Sequence, residues 1–204
     1  MKKLLSSNRG MTLIEVLLTL VIGAIVSGVI YSLFITGLNL YQKIQIEGQL
    51  RDDADYIATM ILNELYTNDP TSVQPLSGDK QGIALIRAGT KEVNRYLIID
   101  SEQPPAIIKI YFEDNQFIIE HADKEDGKVV LDSLSSNFTT ADVDGVARFT
   151  EISIDPDSKC TKKNGTDNCT SGTIHLNLVL EDNKSTRGSL IRTKPLVLES
   201  SFGF

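Results

Sequence analysis

Tryptophan is absent from the 204 residues, and Phe and Tyr number only seven and six. Sparse aromatics argue against the stacking platforms that hold single-stranded nucleic acid. Cationic side chains are also in deficit, with 20 Lys and Arg against 27 Asp and Glu and a formal net charge of −7. Non-specific binding to DNA depends on Lys and Arg neutralising phosphates, and no basic run is present, so no direct nucleic-acid partner is expected. The two cysteines, Cys160 and Cys169, stand in CTKKNGTDNC. Two are too few for a structural zinc site on this chain alone. Closing one short loop, they suit a disulfide in an oxidising compartment. The only histidines, His121 and His175, are isolated, with no adjacent Ser, Cys and acid constellation, and read as surface or strand residues. A Gly-rich phosphate loop and an H-E-x-x-H motif are both missing. The expectation is a protein without enzymatic chemistry and without a cofactor.

What is present in quantity is one apolar run. It extends from Met11 to about Leu38, follows the basic residues Lys2, Lys3 and Arg9, and is interrupted only by Glu15 and small or hydroxylated residues. Roughly 20 apolar residues span a bilayer. The run is longer than the core of a secretory signal, and no small-residue cleavage site follows it, so the segment is expected to be retained. The positive-inside rule places Lys2, Lys3 and Arg9 in the cytoplasm and the chain beyond Leu38 outside. The cysteine argument agrees with that orientation. Glu15 is the anomaly, because a carboxylate within lipid costs a few kcal/mol and is usually paired and functional.

The stretch RGMTLIEV, residues 9–16, resembles the amino-terminal signal of the type IV pilin superfamily. That signal is a short basic leader ending in Gly, then an apolar residue, with Glu as the fifth residue of the mature chain. Gly10, Met11 and Glu15 stand at those positions, with Met11 replacing the usual Phe. The resemblance implies that a membrane prepilin peptidase/methyltransferase cuts between Gly10 and Met11 and methylates the new amino terminus on Met11. Glycine at the cut suits a tight protease cleft, since it has no Cβ. The resemblance further implies that Glu15 pairs with the amino terminus of a neighbouring subunit during assembly. The helix-weakening proline that major pilins often carry is absent from the span, where Ser32 stands instead.

Beyond the span, Leu40, Ile44, Leu50, Ala54, Ile57, Ile61 and Leu65 recur mostly three or four residues apart, predicting an amphipathic helix through Tyr66. Pro70, Pro75 and Gly78 end it. The remainder reads as short strands rich in Ile and Val, with a hairpin in IKIYFEDNQFIIE turning at Asp114 and Asn115. VARFTEISID and GTIHLNLVLED flank the cysteine loop, which is polar and expected to project from the head. The carboxy-terminal pattern is similar to J-type pseudopilins and W-type minor pilins. TADVDGVARFTE partly matches an EF-hand-like calcium loop through Asp142, Asp144 and Glu151, but Thr140 replaces the first acidic ligand and an acidic turn is the plainer reading.

The expected fold is therefore α+β, a pilin-like lollipop. A long helix, half transmembrane and half amphipathic, packs on an antiparallel β-sheet head. The expected parts are a leader (1–10), a transmembrane segment (11–38), an amphipathic continuation (39–66) and an extracytoplasmic head (67–204). The resemblance implies a structural minor pilin or pseudopilin at or near the tip of a type IV pilus, competence pilus or type II secretion pseudopilus. Its partners would be the peptidase, other major and minor pilins, the membrane and, indirectly, the assembly platform and its ATPase. Before assembly it would be a single-pass membrane protein. The competing expectation is a membrane-anchored adhesin or ligand-binding module with the same anchor.

Overall fold

The computed structural model describes residues 12–76, 81–93, 96–99, 103–122, 127–131, 134, 136–143, 145–163, 165–183 and 194–204. The fold is α+β. Among the described residues one helix, α1 (Leu13–Asn68), is followed by fifteen short strands. Contacts divide the chain into two compact units, Met1–Ile44 and Gln45–Phe204.

Within the first unit, the described residues form a bare apolar helix. Leu17, Leu20, Ile25, Val29, Leu33 and Ile44 are all exposed. The segment is long and apolar enough to cross a membrane. Such a helix satisfies its backbone internally, which is what lipid demands.

In the second unit the same helix becomes one-sided. Leu50, Ala54, Ile57, Ile61 and Leu65 are buried, spaced four, three, four and four residues apart on one stripe. Ile46, four residues before Leu50, also packs against that core, whereas Leu40 and Ile44 are exposed. The helix ends at Asn68, two residues later than the periodicity predicts. Asp69 then turns into the left-handed region at φ 40° and donates its N–H to the Leu65 carbonyl. Pro70 follows, and it cannot continue a helix.

The strands are β1 (Ser72–Pro75), β2 (Gln81–Arg87), β3 (Thr90–Val93), β4 (Tyr96–Ile99), β5 (Ala106–Glu113), β6 (Gln116–His121), β7 (Lys128–Leu131) and β8 (Ser136–Phe138). Then come β9 (Thr140–Val143), β10 (Val146–Phe149), β11 (Glu151–Ile154), β12 (Lys159–Lys163), β13 (Thr166–Ser171), β14 (Thr173–Asp182) and β15 (Leu196–Gly203). A seven-stranded antiparallel sheet runs β12-β13-β1-β2-β5-β6-β7. A smaller sheet runs β11-β14-β15, with β8 also paired to β14. β3–β4 and β9–β10 are separate hairpins.

The expected β5–β6 hairpin is present. Asp114 and Asn115 both take positive φ, 49° and 62°, which a two-residue turn requires and which Asp and Asn tolerate. Ile83, Ile110 and Ile119 lie in one cross-strand row and are buried against the helix stripe in a single core. β14 supplies the other side of that core through Ile174, Leu176, Leu178 and Leu180, the alternation read in the sequence. Polar ties fasten the helix as well. Ser136 Oγ donates to Asp53 Oδ2 at 2.8 Å, and His121 Nε2 lies 3.6 Å from Glu64 Oε1.

Two local readings need correction. VARFTEISID is not one strand, because the chain leaves β10 and enters β11 at Thr150. There Thr150 Oγ1 accepts the Val179 N–H at 3.0 Å and donates to the Val179 carbonyl at 3.2 Å, taking over the pairing that a continuous strand would make with its backbone. The cysteine segment is not a projecting loop. It forms the β12–β13 hairpin, and Val73 of β1 lies opposite Cys169, so β13 is integral to the large sheet.

Candidate functional site

Thr12 and Glu15 shape the start of α1. The Thr12 carbonyl accepts the N–H groups of Glu15 and Val16 at 3.1 and 3.2 Å, opening the helical ladder. Glu15 lies in the first turn, where a carboxylate complements the positive end of the helix dipole. The order Thr12-x-x-Glu15 is also the spacing of a capping box. That spacing is legible in the sequence, and it gives Glu15 a second role beside its charge. Gly10 and Met11 lie outside the described residues.

Cys160 and Cys169 are joined in a disulfide. They are cross-strand partners in the β12–β13 hairpin, with Cys169 only 1% exposed. Removing both cysteines should destabilise the protein by about 2 to 3 kcal/mol, the chain-entropy value for so short a loop. Equal urea midpoints for the oxidised protein and a Cys160→Ala/Cys169→Ala variant would contradict this.

Of the calcium candidates, Asp142 and Glu151 lie on different strands. Asp142 sits in β9, where its Oδ1 accepts the Gly145 N–H at 2.9 Å and closes a tight turn. Gly145 takes φ +79°, the conformation that favours glycine. Thr140 pairs with Phe149, so Glu151 lies beyond the far end of that hairpin, opposite Asn177 in β11–β14. Asp144 is outside the described residues, and among the described residues no cluster of three His, Cys, Asp or Glu could hold a metal.

His175 has company that the linear sequence hid. Its Nε2 lies 2.7 Å from Asp155 Oδ2, and its Nδ1 lies 2.9 Å from Ser201 Oγ. The partners are 20 and 26 residues away in sequence. The β14–β15 register sets His175 opposite Ser201, and the β11–β14 pairing, with Ile154 opposite Ile174, carries Asp155 to its other side. The chain of bonds lies on the open polar face of the small sheet, with His175 exposed. It laces β15 to β14 and to the turn after β11. The hydrogen bond from His175, then the Asp157 N–H, hold the Asp155 carboxyl below its usual value of 3.8. A carboxylate whose folded pKa is depressed stabilises the fold above its unfolded pKa. That contribution is lost as pH falls below 3.8 and through the folded value. In an NMR titration Asp155 should therefore protonate below 3.8, and His175→Ala should move it upward; an unmoved midpoint would remove this account.

Residues 5–31 match a family model, the prokaryotic N-terminal methylation motif. Comparison with curated proteins and with solved structures finds no match. The matched residues hold Gly10, Met11, Glu15 and most of the exposed apolar helix. That motif, continuing into that helix, supports a type IV pilin-like protein; it is the signal of precursors that prepilin peptidase processes, that a membrane anchors and that assemble with other pilins.

Proposed function

We propose that the chain is a minor pilin or pseudopilin, placed at or near the tip of a type IV pilus, competence pilus or type II secretion pseudopilus. The observation that carries this reading is the methylation motif continuing into a bare apolar helix, with a carboxylate at its first turn. In this reading residues 1–10 are the leader and Met11 becomes the methylated amino terminus. Residues 11–38 lie in the membrane with the amino terminus cytoplasmic. Residues 39–66 continue the helix, and 67–204 form the extracytoplasmic head. The peptidase, sister pilins and the assembly platform with its ATPase are the partners. The protein is a building block and a peptidase substrate.

The mechanism follows from charge. In a lone subunit the Glu15 carboxylate is costly within lipid. After cleavage, the Met11 amino group of a neighbouring subunit offers the opposite charge at the same depth. Pairing neutralises both and sets the axial register of the incoming subunit. Deleting the gene tests the role. A subunit that initiates assembly takes the fibre with it, so abundant fibres of normal length in the deletion strain would refute the proposal.

A further inference from the structure

Residues directly opposite each other in an antiparallel sheet share a face. The β11–β14 and β14–β15 registers therefore set two polar rows on one face of the small sheet. The first row is Ser153, His175 and Ser201, and the second is Glu151, Asn177 and Glu199. Ile174, Leu176 and Leu178 alternate with them and point the other way, into the core. Both rows, together with Arg148 of β10, line a cavity of 570 Å³. The His175–Ser201 pair lies five register steps from Leu180↔Leu196, where β14 and β15 lead off towards residues 184–193. That is about 17 Å along the ladder.

Within that face His175 sits between an acid and an alcohol, at 2.7 Å from Asp155 Oδ2 and 2.9 Å from Ser201 Oγ. The Asp155 carboxyl, held below 3.8, is ionised near neutral pH and can only accept. The ring proton of a neutral His175 therefore sits on Nε2 and is donated to Asp155. Nδ1 is left as an acceptor, and the Ser201 hydroxyl donates to it. A serine bonded to a base that a carboxylate orients is the arrangement that makes a hydroxyl nucleophilic. The His175 side chain is 46% exposed, so a ligand can reach the ring. The Arg148 guanidinium, paired with Glu199, brings a positive charge to the same cavity. Such a charge stabilises the oxyanion that forms when a serine attacks a carbonyl.

We propose that this cavity hydrolyses small carboxylic esters, with Ser201 as nucleophile, His175 as general base and Asp155 as the positioning residue. Ser201 Oγ attacks the ester carbonyl and passes its proton to His175 Nδ1. The bond from the carbonyl carbon to the leaving oxygen then breaks, and His175 returns the proton to that oxygen, releasing the alcohol. Water attacks the acyl-serine, gives a proton to Nδ1, and the acid leaves as Ser201 regains its hydrogen. The sum is ester and water to alcohol and acid, with nothing oxidised or reduced. The lining sets the substrate class. Leu176 turns into the core, so no wall is there to bury a long acyl chain, and an acetyl-sized group fits best. Glu151 and Asn177 offer acceptors for hydroxyl groups, which favours the acetyl ester of a polyol. An open cavity lets in the water that deacylation needs, but water also weakens electrostatic stabilisation, so turnover is slow. The proposal rests on the second unit alone and holds whether or not the chain is a pilin.

The test uses the full chain in micelles of a detergent without ester groups. p-Nitrophenyl acetate reports turnover, glycerol triacetate represents the polyol esters, and p-nitrophenyl octanoate is the long-chain control. An alkyl fluorophosphonate, which loses fluoride to an activated serine, marks the nucleophile for peptide mass spectrometry. The parent should release nitrophenol above the buffer rate, cleave glycerol triacetate, prefer acetate to octanoate and carry the label on Ser201. Ser201→Ala should lose both turnover and label. His175→Ala should lower kcat by about a hundredfold, the usual worth of a positioned base. Asp155→Asn should lower kcat while leaving KM unchanged, which a purely structural tie would not do. Circular dichroism of each variant should match the parent, because the altered side chains lie on the exposed face. No turnover by the parent would overturn the proposal whatever the variants do. So would a label on another residue, turnover surviving in Ser201→Ala, or kcat unchanged in His175→Ala. Preference for octanoate would overturn the substrate class.

Discussion

Gly10→Val should leave the precursor uncut. In cells with an active prepilin peptidase, the parent should begin at an N-methylated Met11, having lost Lys2, Lys3 and Arg9. Its formal side-chain charge then moves from −7 by three units to −10. The valine variant should retain its leader, with the processed fraction at background. The cause is steric. Glycine lets the backbone sit close to a protease cleft, whereas a β-branched side chain at the scissile bond is both bulky and stiff. Membrane insertion should be unaffected, because the apolar run and its basic flank are intact. Mass spectrometry of the membrane-extracted protein separates the two outcomes. A parent protein still beginning at Met1 would remove the basis for the whole functional reading, and a normally processed Gly10→Val protein would remove the stated role of the glycine.

Glu15→Ala should be inserted and processed yet fail to enter the fibre. Insertion becomes easier, since an intramembrane acid costs about 2.5–3.5 kcal/mol at mid-helix and less toward the interface. Assembly should suffer more than insertion gains. Removing one member of a buried ion pair costs about 3–5 kcal/mol, because the partner charge remains buried and alone. At 1.4 kcal/mol per tenfold, crosslinking to sister pilins should fall by about a hundredfold or more. Glu15→Gln refines the experiment. Glutamine serves a capping box as glutamate does, so it preserves the helix start at Thr12 while deleting the charge. If capping were the whole role of Glu15, Glu15→Gln would assemble normally and only Glu15→Ala would fail. Normal crosslinking of both variants, fully processed, would show that the carboxylate does not drive assembly.

Features that depend on local periodicity could be read from the chain alone. The stripe Leu50, Ala54, Ile57, Ile61 and Leu65 is such a feature, as are the alternation along β14 and the turn at Asp114 and Asn115. Apolar spacing locates a helix more surely than its buried face: Leu40 and Ile44 were read with the stripe, but the six-residue step from Ile44 to Leu50 turns them off it, and they are exposed. The cysteine hairpin was misjudged for a different reason. Its composition is polar, and in β13 only Cys169 is buried, so the usual apolar signature of a sheet strand is missing. Its place in the sheet rests on backbone pairing with β1, which leaves little trace in side-chain pattern. The Asp155–His175–Ser201 chain was illegible because it exists only through strand register. The Thr12–Glu15 capping pattern is local and legible in the sequence.

Because α1 is continuous from Leu13 to Asn68, its apolar front and its core-packed stripe belong to one helix. Tension carried by that helix reaches the second unit through the stripe. Leu50, Ala54, Ile57, Ile61 and Leu65 would all have to slide past close-packed neighbours together, since no loop interrupts the helix to let them yield one at a time. Forced unfolding is governed by an unfolding rate, and a barrier set by simultaneous loss of several contacts keeps that rate low.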